Sequence, residues 1–193
     1  MTPISFASFR SSPIISVHEA LGADFLTWNQ MPVPKSYCKG VESEHKTIRN
    51  AAGLTDMSGI KKIWLKGGGA LELIDFLITR DCNNIKPGSA KYTALLDENG
   101  NLVDDAIVFH LSPLEFEKFD ASWLICFGAG FGVDYLTKSL QDSKVVVRAD
   151  DNTVCLMLQG PYAETVMKRV VKGGLTKNLG RFEHGLFSIL DSD

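Results

Sequence analysis

Apolar and polar positions change rhythm several times along this chain, and each change marks an element. Between Gly40 and Ala52, Val41, Ile48 and Ala51 recur at helical spacing among Glu42, Glu44, His45, Lys46 and Arg49, and Gly53 ends the run. That pattern predicts an amphipathic helix with a solvated, charged face. Ile60 to Lys66 alternates as a strand does, Gly67-Gly68-Gly69 interrupts it, and Ala70 to Thr79 sets Leu73, Ile74, Leu77 and Ile78 on one helical face. Further on, strands are predicted at Trp123 to Phe127, Lys144 to Arg148, Thr153 to Leu158 and near Phe187 to Leu190. Helices are predicted over about Val133 to Leu140 and Pro161 to Val171. The first 40 residues hold a short helix around Val17 to Leu21 and an irregular stretch from Trp28 to Pro34, punctuated by Pro32 and Pro34. This order predicts an α+β fold: antiparallel or mixed sheets with helices packed on one face, in the manner of ferredoxin-like units.

The segment from Lys91 to His110 carries the sharpest signal. Two apolar runs flank Asn99-Gly100, a pair suited to a type I′ turn, so the segment predicts a hairpin. Alternation along its second strand puts Val103, Asp105, Ile107 and Phe109 on one side, and Leu102, Asp104, Ala106, Val108 and His110 on the other. Asp105 is thereby expected among apolar neighbours, and Asp104 in water beside His110. An unpartnered carboxylate on a buried face costs roughly 1–3 kcal/mol and has its pKa raised by desolvation. Two arrangements resolve that cost: Asp105 caps a turn or pairs with a lysine, or it faces a ligand in a cleft.

At 193 residues the chain can form one large domain or two small ones, and a fold of this size buries roughly 70% of the unfolded surface. No low-complexity linker divides it. Twenty Lys plus Arg against twenty-three Asp plus Glu give a formal net charge of −3. There is no basic block to attract a phosphate backbone, which argues against nucleic acid as a partner. Cys38, Cys82, Cys126 and Cys155 form no Cys-x-x-Cys pair, so neither a zinc site nor a disulfide frame is indicated, and a reducing compartment is expected. No apolar run approaches the roughly 20 residues that span a bilayer, so no membrane partner is expected. Residues Met1 to Ser12 are acid-free and carry Arg10, a faint transit-peptide character.

Other motifs compete for the chemistry. Gly128-Ala129-Gly130-Phe131-Gly132 follows a strand, precedes a helix and is trailed by Asp150, as a dinucleotide site would require. Against that reading, Val133 stands where the third glycine belongs, and too little chain follows to complete a doubly wound domain. Gly67-Gly68-Gly69 is followed by Ala70 and Leu71 where a phosphate loop needs Lys and Ser or Thr, and reads as a strand-to-helix turn. His18, His45, His110 and His184 show no metal spacing, and no Ser or Cys sits in a nucleophile elbow.

Taken together, the motifs resemble the folate-binding aminomethyltransferase family, which comprises the T-protein of the glycine cleavage system and its tetrahydrofolate-dependent demethylase relatives. Matching stretches include His18-Glu19-Ala20-Leu21-Gly22-Ala23, Ile48-Arg49-Asn50-Ala51-Ala52-Gly53-Leu54-Thr55-Asp56-Met57-Ser58 and Asp75-Phe76-Leu77-Ile78-Thr79-Arg80-Asp81. Tyr92-Thr93, Glu98-Asn99-Gly100 with Asp104-Asp105, and Leu158-Gln159-Gly160-Pro161 continue the match. The resemblance implies an aminomethyltransferase folate-binding domain over 1–193, as the N-terminal portion of the family's longer chain. It implies tetrahydrofolate as cofactor, Asp105 as the catalytic acid and Tyr92 in the folate pocket. Phe109 takes a position where the family often has tyrosine, so stacking persists while the hydroxyl is lost. The implied donor is an aminomethyl group on a lipoyl carrier, or a methyl group of a small O- or S-methyl compound.

The resemblance also has departures. Gly59-Ile60 replaces the family's His-Met, and Cys126-Phe127-Gly128-Ala129-Gly130 replaces an asparagine-bearing stretch. The sequence stops at Asp193, before the family's Thr-Gly-Tyr-Thr-Gly-Glu segment, so a second chain supplying the C-terminal half is a further expected partner. A non-catalytic folate-binding module and a dinucleotide-binding oxidoreductase stand as alternatives. The expected location is the cytoplasm, or the mitochondrial matrix in a eukaryote.

Overall fold

In the computed structural model, which describes residues 4–6, 9–140, 144–172 and 179–189, the chain is organised as two units. One contains residues 9–59, 151–172 and 187–189; the other contains 4–6, 60–140, 144–150 and 179–186. The first begins with a short helix, α1 (Ile15–Ala20), and a hairpin of β1 (Asp24–Trp28) and β2 (Met31–Ser36), then α2 (Gly40–Asn50) and β3 (Gly53–Asp56). The stretch from Trp28 to Pro34, expected to be irregular, is therefore the end of β1, the hairpin turn and the first part of β2, with Trp28 opposite Met31. Asn29 and Gln30 both take positive φ, 51° and 66°, the two-residue turn whose twist matches a hairpin. Pro32 and Pro34 are two residues apart and direct their missing N–H toward the same edge, which a two-stranded ribbon tolerates. Helix α2 matches its prediction and carries no buried residue.

Arg10 holds this unit together at its centre. It is 1% exposed. Its guanidinium donates to the Asp151 carboxylate at 2.8 Å, to the Asn29 carbonyl at 2.7 Å and to the Gly59 carbonyl at 2.9 Å. One planar cation with a rigid fork of donors thus ties together four stretches far apart in sequence.

The second unit runs β4 (Lys61–Lys66), α3 (Ala70–Leu77), a 3-10 turn at Cys82–Asn84, β5 (Ser89–Leu96), β6 (Leu102–His110), α4 (Pro113–Phe119), β7 (Trp123–Phe127), α5 (Gly132–Ser139) and β8 (Val146–Asp150). Its five strands lie in the order β5-β6-β7-β4-β8, and every pairing is antiparallel. Because β7 and β8 both run against β4, they run with each other across it and are joined by α5. That is a split βαβ unit, the ferredoxin-like element the sequence predicts. One face of the sheet is the core. Ile63, Leu65, Ala106, Val108, Ile125 and Phe127 pack with Leu73, Ile74 and Leu77 of α3 and Val133 and Leu136 of α5. Helix α4 has a full signal in the sequence that the periodicity reading passes over: Ser112 and Glu115 form a capping box with Pro113 in the first turn.

Chain after β8 returns to the first unit as β9 (Leu156–Gln159), paired antiparallel with β3, and α6 (Ala163–Val170). The strand predicted near Phe187 to Leu190 is reduced to an isolated bridge between Ile189 and Val171, and Leu190 lies outside the described residues. The hairpin between β5 and β6 turns differently from expectation. Only Gly100 has positive φ there, 82°, and its N–H bonds to the Asp97 carbonyl at 3.0 Å. This is a type I turn closed by a left-handed glycine. The Asp97 carboxylate selects it by accepting from the Asn99 and Asn101 amides at 2.9 and 2.8 Å. Among the described residues no helix is long and apolar enough to cross a membrane.

Breaking a buried ion pair by removing one partner costs about 3–5 kcal/mol. Arg10→Ala is expected to lower the unfolding free energy by that amount in a denaturant titration. A loss below ~1 kcal/mol would show that Arg10 does not organise its unit.

Candidate active site

Strand β6 lies between β5 and β7, so both its edges are paired, and the alternation of its side chains separates two faces with different environments. The structure reverses the expected assignment of those faces. Asp104 is the buried acid, 2% exposed, on the helix-covered side with Ala106 and Val108. Asp105 lies half-buried on the face away from α3 and α5, with Ile107 and Phe109. The bulkier residues misdirect the reading: the core beneath α3 and α5 takes the small Ala106 and Val108 at its centre. Phe109 instead joins a second cluster with Trp64, Leu111, Ala121, Phe119 and Leu124.

The cost of burying Asp104 is met by backbone amides. It accepts from the N–H of Asp105 at 2.8 Å, of Ala129 at 2.9 Å and of Gly132 at 2.8 Å. The acid that caps a turn is therefore Asp104, placed where the first turn of α5 favours negative charge. The same contacts remove the nucleotide reading. Amides that a pyrophosphate would use are held by a carboxylate, and Asp150, the acid wanted for a ribose, is 6% exposed and accepts the Trp64 indole N–H at 2.7 Å.

Asp105 has different company. Ala94 is its cross-strand partner, and Tyr92, opposite Ile107, is its diagonal neighbour on the same face. The Tyr92 hydroxyl donates to Asp105 Oδ2 at 2.7 Å. Below the carboxylate lies Gly128, whose N–H donates to the Asp105 carbonyl at 2.9 Å. A Cβ at position 128 would come within 2.4 Å of Asp105 Oδ1, so the acid rests on bare backbone. The Tyr92–Asp105 hydrogen bond and the negative charge of Asp105 push the Tyr92 phenol above its ordinary pKa, keeping it a donor. Tyr92 is 51% exposed, open to a ligand.

Of the three residues assigned from sequence, then, Asp105 and Tyr92 are in contact, and Phe109 shares their face four positions along β6. Phe109 meets the His184 ring edge-on, with centroids 5.4 Å apart. His184 in turn bonds Glu115 Oε1 through Nδ1 at 2.8 Å and the Ser89 carbonyl through Nε2 at 3.2 Å. Burial would raise the Glu115 carboxyl, but the hydrogen bonds from Ser112 and His184 outweigh it and hold the group below its usual range.

In the first unit the structure gathers a cluster that sequence spacing does not show. His18, 6% exposed, bonds Asp56 Oδ2 through Nε2 at 2.8 Å and the Tyr37 hydroxyl through Nδ1 at 2.8 Å. The Ser12 hydroxyl adds a third partner, donating to Asp56 Oδ2 at 2.7 Å. Burial pushes Asp56 upward, yet bonds from Ser58, Ser12 and His18 prevail and lower it. The cluster walls a cavity of about 460 Å³ whose other sides include Val17, Leu21, Leu54 and Leu156. His18 and Asp56 stand in matched stretches 38 residues apart, and only the β3 and α1 geometry reveals their pairing.

The second unit is thus a five-stranded α+β layer with helices on one face and the Tyr92–Asp105 pair on the other. The chain's fold is shared with the crystal structure of glycine cleavage system aminomethyltransferase T from Bartonella henselae, at TM-score 0.77 and 29% identity, over 91% of this chain and 47% of that one. The GCVT N-terminal domain family matches residues 14–185, and the chain belongs to it. It is 37% identical over 177 residues to the heme-dependent oxidative N-demethylase gamma subunit of Ectopseudomonas mendocina (strain ymp), covering 92% of this chain and 45% of that protein. It is 30% identical over 178 residues to the aminomethyltransferase of Thermotoga maritima, covering 86% and 44%. The chain spans just under half the length of these relatives.

Because the folded Asp56 titrates below its unfolded counterpart, its contribution to stability is complete above the ordinary carboxyl range and drains as pH falls through the lowered value. Asp56→Asn is expected to cost about 1.5–3 kcal/mol at neutral pH, with the two unfolding curves converging in acid. Parallel curves down to pH 2 would refute the linkage.

Proposed function

We propose that this chain is the folate-binding portion of a tetrahydrofolate-dependent one-carbon transferase, with Asp105 as its acid and Tyr92 and Phe109 in the pterin pocket. The observation that carries the reading is the Tyr92–Asp105 hydrogen bond on an accessible sheet face, in a chain of this family. The residues suit a reduced pterin. A flat ring bearing N–H groups calls for aromatic faces and an acceptor, and this face offers an exposed phenol, a half-buried phenyl ring and a carboxylate over bare backbone.

Tetrahydrofolate, when bound, supplies the amine nitrogens that take up the one-carbon unit. Asp105 Oδ1, the oxygen Tyr92 does not occupy, is the atom that holds or passes a proton at the acceptor amine. Tyr92 fixes the carboxylate's rotation through Oδ2 and stays protonated as it does so. Phe109 supplies an apolar wall, itself steadied by His184. Catalysis of this kind consists of alignment and proton placement, with no covalent bond to the protein.

The aminomethyl donor on a lipoyl carrier is the first reading of the substrate. A second is favoured by the identity to an N-demethylase gamma subunit: the one-carbon unit comes from an N-methyl, O-methyl or S-methyl compound, and the chain works beside other subunits. A second polypeptide, or further sequence in the same one, supplies the remaining half.

Tetrahydrofolate at 100 times its Kd is expected to add about 2.7 kcal/mol to the unfolding free energy, and NAD none. Stabilisation by NAD alone overturns the reading. In the intact protein purified from its natural source, Asp105→Asn is expected to fold and to lose transfer by roughly 10²- to 10⁴-fold, assayed against lipoylated carrier and methyl donors in parallel. Equal activity in variant and wild type rejects Asp105 as the acid; folate binding with no transfer in the wild type assigns a binding module instead.

A further inference from the structure

The neighbouring acid, Asp104, has no role in that chemistry, yet its carboxylate accepts from the Asp105 amide and from the loop that follows Gly128. We propose that Asp104 is a positioning residue: its buried carboxylate clamps the 128–132 loop beneath Asp105 and so sets where the acting carboxylate stands. The proposal rests on Asp105 being the acid of the reaction.

The geometry is a closed circuit. Asp104 Oδ1 accepts from the Asp105 and Ala129 amides, and Oδ2 from the Gly132 amide. Gly128, next to Ala129, donates to the Asp105 carbonyl and lies against its side chain. Asp105 is thus held at its N–H by Asp104, at its carbonyl by Gly128, and at Oδ2 by Tyr92. Remove the Asp104 charge and the loop loses the anion that orients two of its amides, while α5 keeps Val133 and Leu136 in the core. A helix cap alone would need only Gly132. The further bonds, to Ala129 and to Asp105 itself, point the device at the neighbouring acid.

Tyr92 reports on this arrangement without any ligand, because its phenol is raised by contact with Asp105. In the intact protein, the Tyr92 ring-carbon NMR signal should titrate above the ordinary tyrosine value of about 10. In Asp104→Asn, where an NH2 group faces backbone N–H donors, it should return toward that value, as it should in Asp105→Asn. Gly128→Ala, which lifts Asp105 off its seat while leaving Asp104 intact, should give the same signature. Asp104→Glu keeps the charge but misplaces it by one methylene, and serves if the Asn variant does not fold.

In turnover, both Asp104 variants should lower kcat by roughly 10–100-fold, the scale of a 1 Å misplacement, with KM for tetrahydrofolate changed less than about threefold. A folded Asp104→Asn protein with wild-type Tyr92 titration, or one whose defect lies wholly in KM, overturns the assignment. If the Tyr92 signal moves but wild type neither binds nor uses tetrahydrofolate, the functional reading fails, the positioning role falls with it, and only the clamp stands.

Discussion

Three backbone amides pointing at one buried carboxylate hold the candidate site in place. Asp104 is an acid in a hydrophobic core, affordable only because Asp105, Ala129 and Gly132 each donate to it and α5 begins there. Satisfying that charge fixes the path of the chain from the end of β7 into α5. The path in turn brings Gly128 under β6, where any side chain would collide with Asp105. The location of Asp105 is therefore a consequence of core electrostatics as much as of its own contacts.

How much of this the sequence discloses varies with the physics involved. Strand β7 matches its predicted span because an apolar run bounded by Ser122 and Gly128 leaves little freedom. α2 and α3 match because helical periodicity persists over several turns. β3 is four residues long, too short for any period to show, and exists through its pairing with β9, a hundred residues away. β2 is hidden by Pro32 and Pro34, which would disqualify a central strand, and β1 is seen only through its pairing with it. The hairpin itself is legible, but its turn is decided by the Asp97 side chain, which Asn99-Gly100 alone does not reveal.

The candidate site divides along the same line. Resemblance locates Asp105 and Tyr92, and the β5–β6 register brings them into contact. Alternation correctly separates Asp104 from Asp105 but assigns the core to the wrong face. Hydrophobicity summed along one strand cannot say which face lies beneath helices, since close helix packing selects Ala106 and Val108 over Ile107 and Phe109. That Asp104 is a ligand for amides depends on the loop after β7, which no local pattern in β6 encodes.

Two adjacent carboxylates on one strand would ordinarily repel and compete for the same partners. Here the pleat sends them to opposite faces and gives each a different kind of donor. Asp104 receives rigid backbone amides and the field of a helix start, which neutralise a permanent charge. Asp105 receives a single phenol on one oxygen, leaving the other uncommitted. A group that must exchange a proton with a ligand needs that uncommitted oxygen. A group that must never move needs the opposite, full coordination by atoms that cannot rotate away. Under the proposed function the pair Asp104-Asp105 separates holding from acting within two residues, and the strand's period of two is the physical reason the two carboxylates are kept apart.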